Sequence, residues 1–247
     1  ALARSLVHTV PQPRTAVADA QLEAFTREGE CTMRILLGRW AGVADTLLEL
    51  ADTMDTLGDH RHAMECHSLT AKLYFYQGRL RSAAERFAET TERSLRRPGG
   101  AWRAWGPFGQ AEVALCLGGT PDATLQRWVD LGSHWMTEMM NIDTAYALRR
   151  FGLSARLAWR QGDVECAREA VLGGVAAATR FTHSGFWAHE GFAGIGEVLL
   201  QLRTREQQVG GATAPLDAAW RAFERRLAAH GERFPAGHAL VHRLRGE

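Results

Sequence analysis

The chain has 247 residues, of which 46% are hydrophobic and 23% charged, and its 29 basic and 28 acidic residues leave a formal net charge of +1. That balance argues against nucleic-acid recognition by phosphate neutralisation, which needs a basic excess or stripe, and against a highly charged disordered chain. The length is enough to bury roughly 70% of the unfolded surface, so neither disulfides nor a metal are needed to hold a core.

Apolar residues recur with a helical rather than a two-fold period, which predicts helices throughout and no strand. In chain order they are expected near 15–37, 40–57, 60–77, 80–96, 101–117, 121–139, 142–161, 164–181, 184–203 and 215–231. The second carries the stripe Leu47, Leu48, Leu50, Ala51, Met54 and Leu57, and the third carries Leu69, Leu73, Tyr74 and Tyr76. Arg96-Arg97-Pro98-Gly99-Gly100 stops the fourth. Residues 203–215, rich in glycine towards their end, are expected to be a flexible linker before the last helix at 215–231. The whole span 1–247 is expected to be one helical repeat domain and, since it opens at Ala1 inside a helix-like segment, a fragment of a larger protein.

The domain assignment rests on a repeat. Glycines stand at Gly38, Gly58, Gly78, Gly118 and Gly162, with Gly99 close to the vacant slot. Seven residues before each of the five stands a small residue: Cys31, Ala51, Ala71, Ala111 and Ala155. Five residues after each stands another: Val43, Ala63, Ala83, Ala123 and Ala167. The glycines are predicted to end helices in the left-handed conformation, and the small residues to mark close helix crossings. Asp59 and Asp163 are placed to cap the following helices, and Pro121 fits a first turn. About ten antiparallel helices joined by short turns at a near-constant period predict an all-α fold, an α-solenoid.

The turn signature resembles a tetratricopeptide repeat. Ala71, Tyr74, Gly78, Ala83 and Phe87 match its spacing, as do Ala155, Gly162 and Ala167 with Val171 in the aromatic slot; Ala51, Gly58 and Ala63 follow with His67 there. The match spans residues 30–180 and departs in period, since a helix pair here takes about 40 residues against ~34 in the standard repeat. Divergent repeats of this kind are similar to the helical regions of large bacterial signalling ATPases linked to adenylate cyclases, kinases or transcription regulators. Trp220-Arg221-Ala222-Phe223 and the segment Gly231–His238 resemble the closing part of the cyclase-associated group.

Chemistry is sparse. The chain has no phosphate loop, no H-E-x-x-H and no G-x-S-x-G, and Lys72 is its only lysine. Cys31, Cys66, Cys116 and Cys166 lack metal-site or redox spacing and are expected to be small buried residues in a reducing cytoplasm. His60, His62, Cys66 and His67 cluster, but His67 fills a repeat slot, so no metal site is expected. Gly191, Gly194 and Gly196 are expected at close helix packing.

Three groups stand out as candidate contacts. Trp102, Arg103 and Trp105 follow the mid-chain break and have the composition of a peptide hot spot. His134 and Trp135 head a methionine-rich stretch with Met136, Met139 and Met140. His183, Trp187 and His189 lie between two helices, with Phe186 and Glu190 beside them. Each group could instead seal a helix joint. The expectation is a non-catalytic protein- or peptide-binding scaffold or sensor-relay domain of a cytoplasmic signalling protein, needing no cofactor, nucleic acid or membrane. Its partners would include neighbouring domains, and it could self-associate. The alternatives are a small-molecule sensor with a pocket near His183, Trp187 and His189, and a structural spacer.

Overall fold

The computed structural model of the chain describes residues 16–96, 100–137, 144–180 and 185–246. Among them are eleven α-helices, three short 3-10 turns and no strand. The helices are α1 (Ala16–Leu36), α2 (Val43–Thr56), α3 (His60–Tyr76), α4 (Leu80–Leu95), α5 (Trp105–Leu117), α6 (Asp122–Thr137), α7 (Thr144–Arg160), α8 (Val164–Arg180), α9 (His189–Gln208), α10 (Ala214–Arg233) and α11 (His238–Arg245). The 3-10 turns cover Ala101–Ala104, Phe186–Ala188 and Pro235–Gly237. None of the described helices is long and apolar enough to cross a membrane.

The turn glycines take the positive φ their spacing predicts, but Gly118, with ψ −179°, lies outside the left-handed helical conformation. Gly38, Gly58, Gly78, Gly118 and Gly162 all have positive φ, between 70° and 79°; Gly99 lies outside the described residues. At Gly58 the chain closes α2 with Asp59 N–H donating to Met54 O at 2.8 Å, and the Asp59 side chain accepts from His62 N–H at 3.3 Å. Asp163 caps α8 in the same way, accepting from Cys166 N–H at 3.0 Å. The small residues before and after the glycines are buried, with one exception: Ala123 is exposed. A second glycine, Gly119, also has positive φ, so α6 starts later after its turn than α3, α4 or α8 do. The buried slot moves on to Leu125.

Of the joint expected at 203–215, residues 203–208 belong to α9, and 209–213 connect it to α10. Helix α9 runs on to Gln208 because its last turns are held: Leu202 is buried among Leu216 and Phe223, and Arg203 pairs with Asp217 of α10 at 2.7 Å. The last predicted helix does not stop at 231. Gly231 lies inside α10, where a Cβ would meet Val241 at 2.7 Å, so this glycine allows close packing instead of a stop. Helix α11 then follows beyond the ten expected. Cys31 and Cys66 are buried, but Cys116 and Cys166 are exposed, because they fall on the outer faces of α5 and α8.

Each helix packs on its chain neighbours, and the odd-numbered helices also touch one another in succession from α1 to α11. One apolar core runs from α1 to α7, and a second from α7 to α11. The best repeat match, Ala71, Ala83 and Phe87 with Tyr74 beside them, forms a small cluster with Val113. Helix α7 serves both large cores, with Leu153 and Leu157 in the first and Leu148 and Ala155 in the second.

The α7–α9 crossing is backbone against backbone. A Cβ on Gly191 would lie 2.4 Å from Leu148 C, and one on Gly194 would lie 2.6 Å from Gly152 O. A Cβ on Gly58 would meet nothing within 4 Å and carries only the strain of its φ. Gly191→Ala should therefore cost about 3 kcal/mol of stability and Gly58→Ala about 1 kcal/mol, read from urea unfolding midpoints. Equal losses would show that the crossing can spread without cost.

Candidate functional site

The odd-numbered helices bring charge into the interior. Lys72 and Tyr76 stand four residues apart on one face of α3. Glu190 lies in the first turn of α9, where the positive end of the helix favours a carboxylate. Lys72 Nζ donates to Glu190 Oε2 at 2.7 Å, and Tyr76 O–H donates to Glu190 Oε1 at 2.5 Å. Alongside, Arg149 of α7 grips Glu112 of α5 with two parallel bonds of 2.8 Å. The side chains of Lys72 and Arg149 are each 1% exposed.

The electrostatics follow from this packing. Burial alone would raise the Glu190 carboxyl, but Lys72, His189 and Arg149 outweigh it and hold the carboxyl at about 2. Burial and then Arg149 push Lys72 down, against Glu190 and Glu112. Burial and the Glu190 charge push the Tyr76 phenol well up, so it stays a donor. Arg149 is raised: burial opposes its charge, but the paired Glu112 overcomes that.

Aromatic rings pack beside the Lys72–Glu190 pair. Trp105 stacks on Trp187 with centroids 6.4 Å apart and planes 9° off parallel, and on its other neighbour Tyr146 at 6.4 Å. Lys72 Nζ lies 4.8 Å from the Trp187 ring centre. The Arg103 guanidinium lies 4.4 Å over Trp135. Trp102, Trp135 and Trp187 are half-buried and pack against the first core. The 3-10 turns at Ala101–Ala104 and Phe186–Ala188 set the angle at which these rings meet.

The singled-out residues fall into two contact groups, Trp105 with Trp187 and, through Phe186, His189, and Arg103 with Trp135, while Trp102 packs on the first core. Trp105 is only 7% exposed, so it supports Trp187 from below and is not a surface contact. His134 is exposed at the margin, its ring 4.8 Å from Trp135. His183 lies outside the described residues, as do Met139 and Met140. His189 packs between Tyr76, Phe186 and His230, with its Nδ1 buried and without a hydrogen-bond partner.

Sequence reasoning missed Lys72, Glu112 and Arg149. Their one signal is a charge inside an apolar stripe, and for Lys72 its being the only lysine. It also left the C-terminal segment open. Phe234 stacks edge-on against Phe186 at 5.9 Å and packs with Ala236 on the first core, so this turn closes over the His189 side of the aromatic rings. Among the described residues no three metal-ligating side chains converge. Comparison with protein-family models, curated proteins and solved structures returns no match to this chain.

Two outcomes are expected. Arg149→Met should lower stability by about 3–5 kcal/mol by leaving Glu112 charged and buried, and Arg149→Met/Glu112→Leu should recover much of that loss; chemical denaturation measures both. Burial, and then the neighbouring His189, push His230 down to about 4. The unfolded chain takes up that proton first, so stability falls as pH drops from 6.5 towards 4, by up to about 3 kcal/mol from this group. Replacing His230 with Phe, which suits its contacts with Phe192 and Phe234, should flatten that stretch of the curve of melting temperature against pH.

Proposed function

We propose that this chain is a non-catalytic recognition and relay module: a tetratricopeptide-like α-solenoid of antiparallel helix pairs within a larger signalling protein. Its docking surface is formed by Trp102, Arg103, Trp135 and Trp187. The observation that carries this reading is that Trp187, stacked on Trp105, lies over Lys72 of the ion pair joining α3 to α9. Flat apolar faces with a guanidinium beside them suit a peptide side chain. A ligand that moves Trp187 must also move the first turn of α9, which carries Glu190, and so changes the angle between helices. A ligand that prefers one such angle shifts the population by its differential affinity.

The enclosed Nδ1 of His189 favours a second reading, a small polar ligand on the His189 side of Trp187. Affinity capture from native extract, with wild type and Trp102→Ala/Trp135→Ala as baits, separates the two. Both changes are at half-buried side chains, and circular dichroism checks that the variant keeps its helices. A polypeptide retained by wild type and lost by the variant is the expected result. A metabolite retained by both, with no polypeptide, moves the function to the His189 side. Self-association alone, unchanged in the variant, leaves a structural spacer.

A further inference from the structure

Helix α1 buries the seam Ala24, Glu28, Cys31 and Ile35 against its neighbours, and Glu28 is the one charged member. It is 4% exposed, and its Oε2 has no hydrogen-bond partner. Glu28 also lines a recess of about 870 Å³ between α1 and α3, a volume in the range of small-molecule sites. Glu65 and His62 of α3 face the same recess, and Phe25, Met33 and Leu37 form its apolar wall. Those three apolar side chains are 54%, 53% and 48% exposed. A buried carboxylate without a partner beside exposed apolar side chains is costly on both counts.

We propose that this recess binds an organic cation, a primary ammonium or guanidinium on an apolar body. The cation sits against Glu28 and Glu65, and the apolar body lies along Phe25, Met33 and Leu37. The charges around Glu28 leave that place open. On α3 and its cap, Glu65 and Asp59 repel its negative form and Arg61 favours it. On α2, Glu49 is turned to Arg27. Arg34, which donates to the carbonyl of Ala41, also lines the recess, as do Glu30 and Arg39. Burial first, and then Glu65, push Glu28 up to about 8, so at neutral pH its carboxyl carries a proton. A bound cation favours the carboxylate, and the Glu28 proton leaves to solvent as the ligand binds. A bare metal ion fits less well, since it would make no use of the apolar wall and no three metal-ligating side chains converge among the described residues.

The test is calorimetric titration of the full chain with 4-phenylbutylammonium, with the neutral 4-phenylbutanol as control and acetyl-Leu-Arg-Leu-amide as a peptide-borne cation. Binding should be about tenfold or more tighter at pH 8 than at pH 6, with proton release read from buffers of different ionisation heat. The alcohol should bind at least about tenfold more weakly. Glu28→Gln copies the protonated acid and should keep the melting temperature while losing both affinity and pH dependence. Phe25→Ala changes an exposed side chain and should weaken binding without unfolding the chain. His62→Gln should leave the pH dependence in place. If the peptide binds more tightly than the amine with the same need for Glu28, the natural cation is an arginine of a polypeptide; the reverse order makes it a small amine. The proposal is overturned if neither cation binds at millimolar concentration, if the alcohol binds as well as the amine, if Glu28→Gln binds like wild type, or if the pH dependence disappears with His62 and not with Glu28.

Discussion

Two oppositely charged pairs, Lys72 with Glu190 and Arg149 with Glu112, lie in the interior of a helical protein, and their mutual satisfaction constrains everything around them. Each charge has given up water, and only close, directed partners offset that loss. The geometry is correspondingly tight: a fork of two 2.8 Å bonds in one pair, and an ammonium and a phenol sharing one carboxylate in the other. The pairs join residues 37 and 118 positions apart. An apolar core would tolerate small slips of one helix on another, but a hydrogen-bonded charge pair does not. The pairs therefore fix α3, α5, α7 and α9 in register, and the stacked tryptophans take their positions from them.

The α7–α9 crossing serves the same end by other means. Gly152, Gly191 and Gly194 let the two backbones touch, and Gly191 directly follows Glu190 in the chain. A side chain there would lift the start of α9 away from α7 and take the carboxylate out of reach of Lys72. On the far side, Phe186, His189, His230 and Phe234 pack ring on ring, so the C-terminal turn closes over the same place. Backbone contact, ion pairs and aromatic packing all converge on the first turn of α9.

The elements and their turns were legible in the sequence because they depend on local chemistry. A glycine that must take positive φ, an aspartate that caps free amides and an apolar stripe of helical period each leave a mark within a few residues. The buried charges left no such mark. Sorting residues by polarity sends Glu112 and Arg149 to the outside, and only the partner on another helix brings them in. The arginines show the same limit. Glu89 with Arg93 is the expected within-helix pair, but Arg156 with Glu197, Arg160 with Asp122 and Arg203 with Asp217 bridge separate helices. The aromatic candidates were legible as a group, but not which ring supports the others: Trp105 and Trp187 look alike in sequence, and only the stacking puts one beneath.

Glu28 and Glu190 show how one residue type in one kind of seam meets opposite fates. Both are nearly enclosed, at 4% and 7% exposure. Lys72, His189 and Arg149 hold Glu190 at about 2 against its burial; burial first, and then Glu65 and Asp59, raise Glu28 to about 8 against Arg61. The difference is a cation within hydrogen-bond reach. Where the fold supplies it, the carboxylate becomes a structural joint and has no capacity left for a ligand. Where the fold withholds it, the acid stays protonated and open to any cation that can also cover the apolar wall beside it. An enclosed acid with no hydrogen-bond partner on its buried oxygen, at the edge of a recess, is where an external cation has the most to gain.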